Sequence, residues 1–147
     1  MFTIETSRMV GCSDMIVENG LLKGAQQPEG ILDIFSLKPS TGRESAFLFY
    51  DKENSDARIC HVGITWQRGR TEVSYGTETH YRKKGFMQEA LVAFLDWFTT
   101  NTSENIIWGL PNGDESMHIL EKCGFRYYGQ VEEDPSCSWY VYEINRK

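Results

Sequence analysis

The feature that most constrains this chain is a junction near its middle, where a strand pattern gives way to a helix pattern. Glu72–Thr77 has the alternation of a β-strand. Ala90–Phe98 belongs to a helical stretch, and five apolar residues recur on one of its faces: Met87, Leu91, Phe94, Leu95 and Phe98. The basic segment Arg82–Gly85 lies between them. This segment therefore occupies the turn at which a strand leads into a helix.

The turn combines three cations with a glycine, namely Arg82, Lys83, Lys84 and Gly85. Backbone N–H groups at the start of a helix lack intrahelical partners, and the helix macrodipole makes that end positive. Glycine also allows a ligand to approach the backbone closely. Together these features favour an anion site suited to phosphate. A solvated basic turn, with glycine serving only its geometry, explains the same residues equally well.

The remaining pattern predicts one α+β domain over residues 1–147, built on a mixed sheet. Strands are expected at Phe2–Glu5, Arg8–Val10, Ala46–Tyr50, Ile59–Trp66, Glu72–Thr77, Ile106–Trp108, Phe125–Tyr128 and Ser138–Ile144. A second helix is expected from a cap at Asn112 through Lys122. Short connections predict an antiparallel meander up to Thr77, and the strand–helix–strand order that follows predicts a parallel pair with a right-handed crossover.

Residues 13–45 have the least regular pattern. Ser13 and Asp14 are expected to cap a helix that runs through Leu22, and Gln26–Gly30 is expected to be a loop. Ile31–Leu37 is compatible with either a short helix or a strand.

Composition and charge narrow the class of partner. The net charge of −6 argues against a general nucleic-acid binder and fits a cationic partner, such as an amine or a basic peptide. Apolar runs are far shorter than the ~20 residues that span a bilayer, and the first residues lack the regions of a signal peptide. The sequence therefore predicts a cytoplasmic protein with no membrane partner. The four cysteines and three histidines have no zinc-ligand spacing, so free thiols and no metal are expected.

Two segments resemble the GNAT superfamily of acyl-CoA-dependent N-acetyltransferases. Residues Glu72–Ala90 resemble the family's strand, pyrophosphate loop and helix, with the loop pattern Arg/Gln-x-x-Gly-x-Gly/Ala. Residues Asn112–Phe125 resemble its second segment, Asn-x-x-Ser-x-x-x-Leu-Glu-Lys-x-Gly-Phe. The match is closest to the branch of the ribosomal-protein N-terminal acetyltransferases. It implies a GNAT-like three-layer fold, with an antiparallel meander leading into a central parallel strand pair.

The resemblance implies acetyl-CoA as co-substrate and direct attack of an amine on its thioester. The residues that it places at the cofactor are Thr77, Arg82, Lys83, Lys84, Gly85, Phe86, Met87 and Asn112. Backbone groups of Arg82–Met87 would hold the pyrophosphate. The strand end near Thr77 would pair with the pantetheine arm and polarise the thioester carbonyl. Asn112 either contacts the cofactor or only caps its helix.

The same resemblance assigns a base and an acid. Glu72 matches a strand position where relatives often have a carboxylate base, and Ser116 matches a position where some relatives have the acid that protonates the CoA thiolate. Alternatively, Glu72 pairs across the sheet with a cation such as Arg70, and Ser116 satisfies backbone N–H groups at the helix start. Further candidates are Glu78 as base and Tyr127 and Tyr128 as acids.

Three residues depart from the family pattern. Met87 replaces a small Gly or Ala, Lys83 replaces a common glycine, and Leu120 stands where many members have a tyrosine acid. The Met87 side chain would either crowd the pyrophosphate or point into the core.

Two functions follow from these observations. The first is an acetyl-CoA-dependent N-acetyltransferase that acts on a primary amine, such as a protein N-terminus, a lysine or a small amine. The alternative is a non-catalytic acyl-CoA-binding or regulatory module on the same fold, which Met87 and Leu120 motivate. The aromatic strands near the C-terminus are compatible with a homodimer.

Overall fold

The structure, a computed structural model, describes residues 1–22, 45–67 and 69–144. The described strands are β1 (Phe2–Glu5), β2 (Met9–Ser13), β3 (Val17–Glu18), β4 (Leu21–Leu22), β5 (Ala46–Asp51), β6 (Asn54–Gln67), β7 (Arg70–Thr77), β8 (Ile106–Gly109), β9 (Arg126–Val131) and β10 (Asp134–Glu143). The described helices are α1 (Phe86–Asn101) and α2 (Asp114–Lys122), and a short 3-10 turn covers Thr79–Tyr81.

Eight strands form one mixed sheet in the order β1-β2-β5-β6-β7-β8-β10-β9, and β3 pairs with β4 in a separate hairpin. All described pairs are antiparallel except β7 with β8, which run parallel and are connected along the chain by α1. The α+β class, the meander and the parallel pair are therefore confirmed.

The core lies between the sheet and one face of α1. The apolar residues expected on that face, Met87, Leu91, Phe94, Leu95 and Phe98, are all buried. Phe94 meets Phe47 of β5 edge-on, with ring centroids 6.0 Å apart. Fully burying side chains of this size stabilises the fold by roughly 1.5–3 kcal/mol each.

Helix α2 packs on the same face of the sheet. Its Leu120 is fully buried, and a methyl group added to Gly109 of β8 would lie 2.9 Å from the Leu120 side chain. This close approach explains why β8 ends in a glycine. The third layer implied by the resemblance is not among the described residues.

The helix predicted from Ser13 to Leu22 is wrong, because this segment forms the β3–β4 hairpin. Asn19 and Gly20 have φ values of 54° and 79° at its turn. Asn-Gly is the pair that a type I′ hairpin turn favours, and this local signal outweighs the helix capping expected of Ser13 and Asp14. The predicted loop at Gln26–Gly30 and the Ile31–Leu37 element lie outside the described residues.

Two boundaries also differ from expectation. Strand β6 begins at Asn54 rather than at the expected Ile59, so only Lys52 and Glu53 form the turn before it. Asn112 does not cap α2: Gly113 precedes the helix, and no side chain caps it. Asn112 lies one residue before the N-cap position, and acidic residues in the first turn complement the helix dipole instead.

Candidate active site

The parallel strands β7 and β8 pair at one point and then separate. Glu72 pairs with Trp108, and in the described part of the chain no later residue of β7 pairs with β8. The strands therefore open a gap towards the carboxyl end of β7. Tyr75, Gly76 and Thr77 of β7 line one side of this gap.

The register of β7 shows which backbone groups face the gap. Cys60 and Thr77 lie opposite each other, and beside them the Glu78 N–H donates to the Ile59 carbonyl at 2.8 Å. This bond is typical of a position next to a non-hydrogen-bonded pair, so Thr77 directs its backbone groups away from β6. Tyr75, two residues earlier, does the same. The strand thus presents backbone donors and an acceptor to an extended ligand.

The gap opens into a cleft of about 790 Å³ between β7, the segment 81–88 and α2. The cleft brings together eight of the ten residues predicted for the site: Thr77, Arg82, Lys83, Gly85, Phe86, Met87, Asn112 and Ser116. Basic residues also outnumber acidic ones along its walls, with Arg82, Lys83 and Lys122 against Glu115. This charge balance favours an anionic ligand.

The turn before α1 forms a cradle of backbone N–H groups. Lys83 and Gly85 both have left-handed backbones, with φ values of 62° and 81°. The first bond of the helix runs from the Glu89 N–H to the Gly85 carbonyl at 3.1 Å, so the N–H groups of residues 86–88 have no intrahelical acceptor. Alternating backbone handedness of this kind makes a concave anion site, to which the helix dipole adds.

The left-handed conformation also explains the departure at Lys83. A non-glycine residue in this region costs roughly 1–2 kcal/mol, which is why glycine is favoured there. Lys83 retains the loop shape at this cost and adds a positive charge to the cleft wall.

Arg8, which the sequence did not suggest, fastens this cradle to the β1–β2 turn. Its Nε donates to Glu89 Oε1 at 2.8 Å, and its Nη1 donates to the Lys84 carbonyl at 3.0 Å. The guanidinium also lies 3.8 Å from the centroid of the Phe86 ring. The backbone N–H of Arg8 and the Thr6 hydroxyl donate to the second oxygen of Glu89. One arginine thus holds the turn, the first helical residue and the helix carboxylate.

The carboxyl of Glu89 responds to these contacts. Burial alone would raise its pKa, but the hydrogen bonds from Thr6 and Arg8, together with the charge of Arg8, lower it below its ordinary value. Glu89 therefore stays ionised at neutral pH, and its ion pair with Arg8 is retained.

Tyr75 and Ser116 meet at the cleft wall. The phenol oxygen of Tyr75 lies 2.6 Å from Ser116 Oγ, a contact in which either hydroxyl can donate, and the phenol O–H also donates to the Ser116 carbonyl at 3.3 Å. Burial raises the pKa of Tyr75, a nearby Cys123 thiol adds to the increase, and the bond to Ser116 opposes it. Ser116 thus has a phenol as its partner, which its helix-start position alone did not indicate.

Glu72 lies outside the lining of the cleft, on the other face of the sheet. It is only 5% exposed and lies opposite Thr65 of β6. Successive side chains on a strand point to opposite faces, so Glu72 shares its face with Arg70, whereas Tyr75 faces α2. The Arg70 guanidinium is 4.7 Å from the ring centroids of both Trp108 and Trp139.

The other candidates lie away from the cleft. Lys84 exposes its side chain and contributes its carbonyl to Arg8. Glu78 forms an exposed ion pair with Arg58 at 3.0 Å, and Tyr127 and Tyr128 are more than half exposed on β9. Cys123 is a buried free thiol, and its burial raises its pKa to about 11.

Met87 is 5% exposed and belongs to the hydrophobic core. Its side chain therefore points into the core. Among the described residues, no helix is long and apolar enough to cross a bilayer, and no three metal-binding side chains come together.

Solved structures share this architecture. A GNAT-family acetyltransferase from Bacillus anthracis superposes with a TM-score of 0.69 at 15% identity, over 97% of this chain and 98% of that one. The ribosomal-protein-S5-alanine acetyltransferase of Vibrio fischeri gives 0.66 at 15%, over 99% and 98%. The spermidine N-acetyltransferase of Vibrio cholerae, solved with CoA and spermine, gives 0.57 at 17%, over 67% and 64%.

At these identities the structural likeness shows the fold. A comparison with curated proteins gave no match. The family model of the acetyltransferase (GNAT) domain matches residues 20–126, which is most of the chain. The chain therefore belongs to the GNAT acetyltransferase family, whose members use acetyl-CoA, and it is an enzyme of the N-acetyltransferase class.

Proposed function

We propose that residues 1–147 form a single acetyltransferase domain that transfers the acetyl group of acetyl-CoA to a primary amine. The observation that carries this proposal is the cleft at the diverging parallel pair, because a strand edge and an N–H cradle meet in it. An extended amide chain ending in a pyrophosphate matches these two features.

The cleft residues suit the parts of acetyl-CoA. The N–H groups that follow Gly85 would hold the pyrophosphate, with the charges of Arg82 and Lys83 nearby. The backbone of Tyr75 and Thr77 would pair with the pantetheine arm as an added strand does. Asn112 lines the opposite wall and is available for a polar contact. Bound acetyl-CoA supplies an acetyl group activated as a thioester.

The two sides of the sheet would then serve different steps. Glu72 faces one side and takes the proton that the attacking amine must lose, directly or through water. Backbone N–H groups of Tyr75 and Thr77 stabilise the negative charge that develops on the carbonyl oxygen. Ser116, on the side of α2, donates a hydrogen bond to the sulfur as it leaves. Base and acid therefore do not compete for the same space.

A second cavity of about 290 Å³ supports the choice of a cationic amine. It is lined by Arg70, Tyr128, Gln130, Glu132, Glu133 and Trp139. Arg70 and Glu72 share a face of the sheet, so this cavity opens on the side from which the amine would approach. Its two glutamates and the net charge of −6 favour a cationic acceptor. Neighbours of this fold include a spermidine and a ribosomal-protein acetyltransferase.

The experiment that tests the proposal is an acetyl-transfer assay with an amine panel. Spermidine, a peptide with an N-terminal alanine and a peptide with an internal lysine are each incubated with acetyl-CoA, and released thiol is measured across a pH range centred on neutrality. Turnover with at least one amine, reduced about 100-fold or more in Glu72→Gln, supports the proposal and the base.

Two other outcomes would contradict either the assigned base or the transferase activity itself. An unchanged rate in Glu72→Gln at every pH would remove Glu72 as the base while leaving the transferase activity standing. Tight binding of acetyl-CoA without turnover of any amine would favour the non-catalytic binding module.

A further inference from the structure

The helix position that often carries the acid in relatives has no proton donor in this chain. Leu120 occupies it, and its side chain is fully buried against Gly109 of β8. A tyrosine from another element lies nearby instead. Tyr75 belongs to β7, lines the cleft and reaches across to Ser116 on α2.

We propose that Tyr75 positions Ser116 and serves as its proton source, so that the two hydroxyls form a relay to the departing CoA sulfur. This inference rests on the proposed function. It concerns the protonation of the leaving group, for which the sequence suggested Ser116 alone.

The chemistry of the two hydroxyls supports the relay. A serine hydroxyl is a far weaker acid than a thiol, so Ser116 can give up its proton only if it receives another in the same step. The phenol is the partner that can provide it, since the two oxygens are 2.6 Å apart. An ordinary phenol has a pKa of about 10 and burial raises that of Tyr75, so the phenol carries its proton at neutral pH.

Atoms and electrons balance in this step. The amine nitrogen forms the new C–N bond, and the C–S bond breaks with its electron pair on sulfur. Sulfur takes the proton of the Ser116 hydroxyl, and the Ser116 oxygen takes the phenolic proton of Tyr75. Water in the open cleft returns a proton to the phenolate, which matches the proton that the amine loses through Glu72. Between an ordinary phenol and an ordinary thiolate this transfer is uphill by about 1.5 pKa units, and the burial of Tyr75 adds to that difference.

Other titratable groups line the cleft around this relay, and the test must leave them unchanged. Arg82 and Lys83 line the cleft from the loop, and Glu115, His118 and Lys122 line it from α2. The Cys123 thiol also influences Tyr75. None of them is altered by the substitutions below.

A hydrogen bond that only ties β7 to α2 would look the same in the structure. The two roles differ in what they do to the CoA sulfur. A relay stabilises the thiolate and lowers the pKa of the bound CoA thiol, whereas a structural tie leaves that pKa at its ordinary value, about 8.5 for a simple thiol.

The test compares wild type with Tyr75→Phe, Ser116→Ala and the double variant. Tyr127→Phe, which removes an exposed phenol that does not line the cleft, is the matched control. Calorimetry gives the affinity for CoA and acetyl-CoA, and ultraviolet titration of the thiolate gives the pKa of the bound CoA thiol without any acceptor amine. Rates are then measured with the best amine of the panel.

We expect Tyr75→Phe to bind acetyl-CoA within about threefold of wild type, to raise the bound thiol pKa by about one unit and to lower kcat about 10- to 100-fold. In the Ser116→Ala background, Tyr75→Phe should add almost nothing, because the relay is already broken. Tyr127→Phe should match wild type in every measurement.

The relay is overturned if Tyr75→Phe leaves the bound thiol pKa and kcat unchanged, or if it weakens only acetyl-CoA affinity. Should Tyr75→Phe fail to fold, Ser116→Ala decides the question by the same two measurements. Wild-type protein that neither binds CoA nor acetylates any amine would instead refute the proposed function, and the relay with it. If wild type acetylates an amine and the variants match it in kcat and in the pKa of the bound thiol, the relay alone is refuted.

Discussion

Replacing Arg8 by alanine should loosen the N–H cradle and weaken acetyl-CoA binding, although Arg8 is outside both motifs of the sequence. The substitution removes the ion pair with Glu89, the bond to the Lys84 carbonyl and the contact with the Phe86 ring. Without these contacts, the turn between β7 and α1 must be ordered by the ligand itself.

The expected loss of acetyl-CoA affinity depends on how exposed the Arg8 side chain is as well as on the contacts that it makes. The Arg8 side chain is 42% exposed, so its ion pair contributes at most about 1 kcal/mol. The bond to the carbonyl and the ring contact add about 1 kcal/mol between them at such a site. A total of about 2 kcal/mol corresponds to roughly a 30-fold change in an equilibrium constant, which sets the upper limit of the expected loss in affinity.

Calorimetry with acetyl-CoA and thermal unfolding of the same samples provide the assay. Arg8→Ala should weaken binding about 5- to 30-fold, and Arg8→Lys should lie between it and wild type, because lysine keeps the charge and loses the planar fork. Arg126→Ala is the matched control, since Arg126 pairs with Glu143 of β10, away from the cleft. Affinity that is unchanged in Arg8→Ala, or reduced equally in Arg126→Ala, would show that Arg8 does not hold the cradle in its binding shape.

Three further predictions concern the same framework. Folding lowers the pKa of Glu89, so the stability that the ionised carboxylate contributes is complete above its unfolded pKa of about 4.3 and is lost as the pH falls through its folded pKa. The difference in melting temperature between wild type and Glu89→Gln should therefore vanish in acid. Lys83→Gly should relieve the left-handed strain and raise stability by up to about 1 kcal/mol in denaturant titration, and a loss of stability would contradict the strain assigned there. Gly63→Ala should cost more than about 3 kcal/mol because the new carbon would lie 2.1 Å from the Ser45 carbonyl oxygen, whereas Gly129→Ala, with open space around it, should change stability by less than about 0.5 kcal/mol.

The sequence was most informative where local pattern and fold agree. The helical spacing of Met87, Leu91 and Phe94 identified the buried face of α1, and the order of strand, helix and strand identified the parallel pair. The loop residues were also recognised, because their chemistry is carried by neighbours in the chain. These inferences depend on contacts only a few residues apart.

The features that the sequence did not reveal depend either on competing local signals or on contacts between residues far apart in the chain. The Asn19–Gly20 turn is visible in the sequence, but the capping residues Ser13 and Asp14 predicted a helix across it. Arg8 meets Glu89 across 81 positions, and Tyr75 meets Ser116 across 41. No spacing rule relates residues so far apart, so these two contacts required the structure.

Binding of acetyl-CoA in the cleft, through the β7 edge and the N–H cradle of α1, underlies everything proposed for this protein. Calorimetry of the full chain with acetyl-CoA, dephospho-CoA and ATP tests it most directly. We expect acetyl-CoA to bind in the micromolar range, about −8 kcal/mol. Dephospho-CoA, which keeps the pantetheine and pyrophosphate, should bind similarly, and ATP, which lacks the pantetheine arm, should bind much more weakly. Absence of acetyl-CoA binding, or equal affinity for ATP, would contradict the assignment of the cleft.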